Sequence, residues 1–183
     1  MRAFPDRSEA SDYQFRYIDL APPGDVCALL EAQHETTLGL LQGVSDEQSL
    51  RPYAAGKWCL RELINHLSDS ERTFAYRAMW FARGFDSELP GFDQEVAALG
   101  AAAARQSWPA LLGEFDAVRR ATIALFRGLP HDAWDRGGMA GGDRTTVRAF
   151  AYLIAGHTLH HLSQIRERYL PAGFTAHSLG GSS

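Results

Sequence analysis

Apolar residues recur at helical spacing along four long stretches of the chain. Val26, Leu29, Leu30, Leu38 and Leu41 share one face with Thr37, between Asp25 and Gly43. Asp25 suits an N-cap and glycine a stop, so the pattern predicts a first helix. Ser45-Asp46-Glu47-Gln48 opens a short helical turn, and Arg51 to Gly56 reads as a connector. Lys57 to about Arg83 forms the second long stretch. Here Cys59, Leu63, His66, Ser70, Phe74 and Arg77 all fall within about 80° of His66 at 100° per residue. Gly84 stops this helix, a loop covers Phe85 to Gly91, and an alanine-rich stretch follows to Ala104. Ser107-Trp108-Pro109 begins the third helix, where proline near the first turn costs little. It runs through Leu112, Phe115, Val118, Thr122, Leu125 and Phe126 to Gly128. Leu129 to Arg144 is glycine-rich and reads as loop. The fourth helix begins at Thr145 or Thr146 and continues to Tyr169-Leu170, with Pro171 as its stop.

Four long helices without convincing alternating strands predict an all-α chain. The expected fold is a four-helix bundle with long crossover loops and short extra helical turns. Residues 1–17 are polar and irregular, an N-terminal arm or strap. Residues 18–171 make the bundle, and residues 172–183 make a frayed tail.

The 183 residues suffice for one domain with a sizeable core. A net charge of −4 and the absence of any Lys/Arg-rich run exclude the basic footprint of a nucleic-acid binder. Cys27 and Cys59 are too few for a disulfide framework. The first residues lack the apolar core of a signal peptide, and no stretch approaches the roughly 20 apolar residues of a membrane span. The expected location is the cytoplasm.

The chemistry lies in the histidines. His157 and His161 are one turn apart and share a stripe with Phe150, Leu153 and Gln164 on the fourth helix. His66 occupies the matching inward stripe of the second. Three imidazoles converging between two helices would bind a borderline divalent metal and leave room for water or substrate. His160 lies at about −60° from His157 at 100° per residue, on the flank, and is the poorer ligand. Thr158 stands where the zincin HExxH motif needs glutamate, so no general base comes with the pair. A plainer reading makes the three histidines core residues, hydrogen-bonded to backbone or to one another. Ser70, one turn beyond His66, would leave space beside a metal. Gln164, one turn beyond His161, could fix an imidazole tautomer. Arg77 could receive an anionic end of a substrate, or pair with Glu62, Asp69 or Glu114. Cys59 lies two turns before His66, too far to be a ligand. Glu71 should face a neighbouring element or solvent. His34 reads as an ordinary, partly exposed histidine, and His131 and His177 fall in loops without a role.

The segments GKWCLRELINHLSDSERTFAYRAMWFARG, LPGFDQE and VRAFAYLIAGHTLHHLSQIRERYL resemble the DinB-like (DinB/YfiT-like) superfamily, from about Tyr13 to Pro171. One histidine in the second helix and HxxxH in the fourth match the metal triad of that family at His66, His157 and His161. The resemblance implies a four-helix bundle, a divalent metal that is commonly zinc or nickel, and often a homodimer. Relatives include thiol-dependent S-transferases and isomerases, such as bacillithiol transferase and mycothiol-dependent maleylpyruvate isomerase. Others are metal-dependent hydrolases without a known substrate. No motif here selects among these activities. With no carboxylate clearly placed as general base, transfer of a low-molecular-weight thiol to a small-molecule substrate is the leading expectation, ahead of hydrolysis. A non-catalytic metal- or ligand-binding protein of stress response or detoxification is the alternative.

Overall fold

The computed structural model describes residues 3–170. Among them, helix α1 spans Asp12–Ile18, α2 Val26–Gln42, α3 Asp46–Ser49, α4 Leu60–Ala82, α5 Gln94–Ala101, α6 Trp108–Arg127 and α7 Val147–Gln164. A π-helical turn, Ile165–Tyr169, prolongs α7. The expected stop at Pro171 and the tail 172–183 lie outside the described residues. No described helix is long and apolar enough to cross a membrane.

Helix ends follow the capping chemistry of the sequence. The side chains of Asp25, Ser107 and Thr146 accept backbone N–H bonds in the first turns of α2, α6 and α7. Cys59 has no oxygen to offer at the start of α4. There Glu62 reaches back to accept from the Cys59 backbone N–H at 2.8 Å, half of a capping box.

The long helices α2, α4, α6 and α7 form the bundle, and α7 runs through its middle. Every residue from 149 to 158 is buried, as expected of a helix that is apolar on all sides. The face that a plain bundle would leave open is covered by α1, whose Phe15 and Ile18 are fully buried. Asp12–Ile18 is therefore a helix packed on the core, a strap rather than a loose arm. Gly156 makes the crossing possible: a Cβ there would lie 1.9 Å from the carbonyl oxygen of Tyr17.

The span read as loop between Leu129 and Arg144 holds regular structure. A 3-10 turn covers His131–Asp135, and strands β1 (Gly137–Ala140) and β2 (Asp143–Thr146) pair antiparallel. Gly141 and Gly142 join them with φ of 65° and 87°, the doubly left-handed turn that closes a two-residue hairpin. Strands of four residues are too short to display an alternation.

One polar network crosses the bundle. Arg119 of α6 is wholly buried and grips Glu71 of α4, its Nε at 2.8 and 3.0 Å from the two carboxylate oxygens. A terminal nitrogen adds 2.8 Å bonds to Glu71 and to Thr158 Oγ1 of α7. Gln33 of α2 donates to the carbonyl of Ala155 at 3.0 Å and offers its own oxygen to Arg119 at 3.4 Å.

Two predictions concern stability. Arg119→Met leaves Glu71 buried without a partner and should cost about 3–5 kcal/mol in chemical denaturation. A loss below about 1 kcal/mol, the level of an exposed pair, would count against the network. Gly156→Ala gains about 1 kcal/mol of helix propensity yet should lower the melting temperature, because α1 must move off α7. Amide exchange should then quicken in α1 first; a raised melting temperature would contradict the close crossing.

Candidate metal centre

α4 carries His66 and Ser70 on its inward face, and α7 carries His157 and His161 one turn apart. Nε2 of His157 lies 3.2 Å from Nε2 of His66 and 3.1 Å from Nε2 of His161. The three imidazoles are all buried, and they are the one group of His, Cys, Asp or Glu among the described residues that could hold a metal ion.

Hydrogen bonds alone do not account for this geometry. A ring nitrogen carries either one proton or one lone pair, so Nε2 of His157 can satisfy only one of its two neighbours. A cation accepts all three lone pairs. Ligands at about 2.0–2.1 Å around a tetrahedral centre stand about 3.3 Å apart, close to the observed separations. Protonation is also disfavoured, as metal binding requires. Burial pushes His66 down to about 4 and His161 to about 3, with repulsion from His66 and His160 adding to burial at His161. His157, the most enclosed, is held well below the ordinary value by burial and then by the other imidazoles.

The neighbours select the tautomer that frees Nε2. Nδ1 of His161 donates to Oε1 of Gln164 at 3.1 Å, and the Gln164 amide nitrogen donates to Nε2 of His160 at 2.9 Å. Gln164 thus sets His161 and engages Nε2 of His160, the nitrogen that would otherwise be free to bind a metal. Ser70 Oγ lies 3.4 Å from Nδ1 of His66. Aromatic rings enclose the cluster: Trp58 lies 5.1 Å from the His66 ring, and Tyr17 and Phe74 lie 5.2 and 6.0 Å from that of His157.

On one side the centre opens into a cavity of about 330 Å³. Tyr13, Gln14 and Tyr17 form its α1 wall, and Ser70, Phe74 and Arg77 its α4 wall. The hairpin turn at Gly141 and Asp143 closes the far side. Asp143 is engaged, accepting from Ser11 Oγ at 2.9 Å.

The structure thus brings His66, His157, His161, Ser70 and Gln164 together, and Arg77 shares the cavity. It separates the other candidates. Glu71 belongs to the Arg119 network, Cys59 caps α4, and His34 pairs with Asp116 at 2.7 Å. The acids that might have paired with Arg77 are taken: Glu62 by the α4 cap, and Asp69 and Glu114 by Arg72. His131 is exposed in its 3-10 turn, and His177 lies outside the described residues. Sequence reasoning missed Tyr13 and Tyr17. Their signal was Ser11-x-x-Gln14, a capping box that announces α1.

Comparisons with known proteins bear on the fold and the family. The YfiT protein of Bacillus subtilis has a solved structure that superposes with a TM-score of 0.66 at 19% identity, over 89% of each chain. It is described as a probable metal-dependent hydrolase with an unusual four-helix bundle topology. No curated protein matches the sequence. A family model matches residues 29–165, a span that holds all three histidines and most of the four long helices, and by that match the chain belongs to the DinB superfamily.

Proposed function

We propose that this chain is a metal-dependent enzyme acting on a small molecule, with His66, His157 and His161 holding a borderline divalent ion, zinc or nickel by the family resemblance. The observation that carries this reading is the convergence of three neutral Nε2 lone pairs at the wall of an open cavity. When bound, an ion with three protein ligands keeps a position free and supplies Lewis acidity that favours the deprotonated form of an incoming nucleophile.

The chain's own residues do the rest. Gln164 holds the His161 tautomer, Ser70 leaves room beside His66, and Trp58, Tyr17 and Phe74 restrict water. None of the carboxylates nearest in the fold hydrogen-bonds the triad: Glu71 is bound to Arg119, Asp69 to Asn65 and Arg72, and Asp143 to Ser11. This scarcity of bases favours a nucleophile that is already acidic. A low-molecular-weight thiol, with a pKa near 8.5, fits better than water. In the proposed reaction the thiol proton leaves to solvent and the sulfur attacks an electrophilic carbon. A C–S bond forms, and the leaving group departs with its bonding electron pair. Hydrolysis is the second reading, supported by the likeness to YfiT and its description.

Two outcomes test the proposal. Protein purified without a histidine tag should hold about one divalent ion per chain by elemental analysis. His66→Ala and His157→Ala should abolish this, and Gln164→Leu should weaken affinity about 10- to 100-fold. Stoichiometric metal in both histidine variants would overturn the triad. In a panel of low-molecular-weight thiols with electrophilic acceptors, metal-loaded protein should give turnover that the stripped protein lacks. Turnover of esters or amides instead would select hydrolysis, and none with any class would leave a metal-binding module.

A further inference from the structure

Three arginines are buried in the described structure, and only two have acid partners. Arg119 holds Glu71; Arg61 holds Asp46 at 2.7 Å and Ser49 Oγ at 2.8 Å. Arg77 is 8% exposed and makes one hydrogen bond, from a terminal nitrogen to the carbonyl of Pro90 at 2.7 Å. It forms no ion pair among the described residues. A guanidinium has five N–H donors, so four remain for solvent or for whatever enters the cavity it lines. Burying such a charge without a countercharge is costly. No packing requirement explains it, since methionine would fill a similar volume.

The position is informative. Arg77 stands three turns along α4 from His66, about 16 Å between Cα atoms. Both groups line the same cavity, whose volume suits a metabolite rather than a macromolecule. The other formal charge on its walls is Asp143, which is hydrogen-bonded to Ser11. The hairpin turn packs beside the guanidinium: a Cβ on Gly141 would lie 3.6 Å from its terminal nitrogen. This contact and the Pro90 bond fix where the remaining donors lie. With neutral imidazoles and a divalent ion, the cavity would carry an excess of positive charge.

We propose that Arg77 anchors an oxyanion, so that the centre acts on small molecules carrying a carboxylate or phosphate group, bound at the Arg77 end with the reacting atom at the histidines. The assignment rests on the metal-centre reading and deepens it by naming the substrate class. Planar, fork-like pairing is what arginine offers to either oxyanion and lysine does not.

The test is calorimetric titration of benzoate, phenyl phosphate and the neutral benzamide into zinc-loaded and chelator-stripped protein, each as wild type, Arg77→Met and Arg77→Lys. In both metal states of the wild type the oxyanions should bind more tightly than benzamide. Arg77→Met should remove that preference, weakening oxyanion binding about 10- to 100-fold, while metal stoichiometry and melting temperature hold. Arg77→Lys should fall between, and it carries the test if the methionine variant fails to fold. The tighter of benzoate and phenyl phosphate identifies the oxyanion. Equal oxyanion affinity in wild type and Arg77→Met would overturn the assignment, as would wild-type protein that prefers benzamide or binds none of the three. Absence of zinc binding would sink the metal centre alone, because the stripped protein still reports on Arg77.

Discussion

The buried pair of Arg119 and Glu71 fixes the rotational setting on which the rest of the structure depends. Glu71 lies five residues beyond His66 on α4, and Thr158 follows His157 directly on α7. By gripping both, the Arg119 guanidinium sets the rotation of α4 and α7 about their own axes. Apolar packing tolerates small rotations and repacks at modest cost. A wholly buried charge with directed bonds tolerates much less. A turn of either helix that broke these bonds would also carry a histidine off the common point, where Nε2 separations of 3.1–3.2 Å leave little slack. Such a pair need not add net stability. Its role here is geometric, holding two helices in the one register that brings three lone pairs together.

The same physics runs in reverse at the site. Burial that would punish a charged imidazole keeps all three neutral, and mutual repulsion between His157 and its neighbours reinforces this. A cluster that is unsatisfied by hydrogen bonding and disfavoured by protonation is prepared for a cation. Gln164 completes it by accepting a hydrogen bond from Nδ1 of His161 and donating one to His160, whose ring lies 5.0 Å from that of His161.

Much of this was legible in the sequence, for identifiable reasons. α2, α4, α6 and α7 are long enough for their periodicity to show, and their caps are strong. The phasing that put His66, Ser70 and Arg77 on one face of α4 survives although residues 60–71 have no exposed member, because that helix is long and exposes Arg72 and Tyr76 further on. α7 was harder. Its stripe argument located His157 and His161 correctly but implied an exposed back, whereas residues 149–158 are buried all round. The cause lies in α1, a seven-residue helix too short for periodicity to stand out among polar neighbours. The hairpin escaped notice for the same reason, since its diglycine turn is flanked by strands of only four residues. The partner of Glu71 could not be read at all, because pairing across 48 residues is set by tertiary packing.

That division between legible and illegible parts bears on how function is distributed over the molecule. The three histidines stand on two helices held in register by a buried ion pair. The opposite cavity walls come from α1, the segment around Pro90 and Gly91, and the β1–β2 turn, which bond to one another (Ser11 to Asp143, Gln14 to Thr145, Leu89 to Met139 and Gly141) and not to the ion pair. Function resides in sites built upon a fold, so the histidines and the walls beside them are separate features of it. Among the described residues lining the cavity, Arg77 is the charged group that α4 supplies, and no acid pairs with it. On the reading proposed above, selectivity would follow from the distance between that cation on α4 and the histidines on α4 and α7, with the loops trimming shape around that axis.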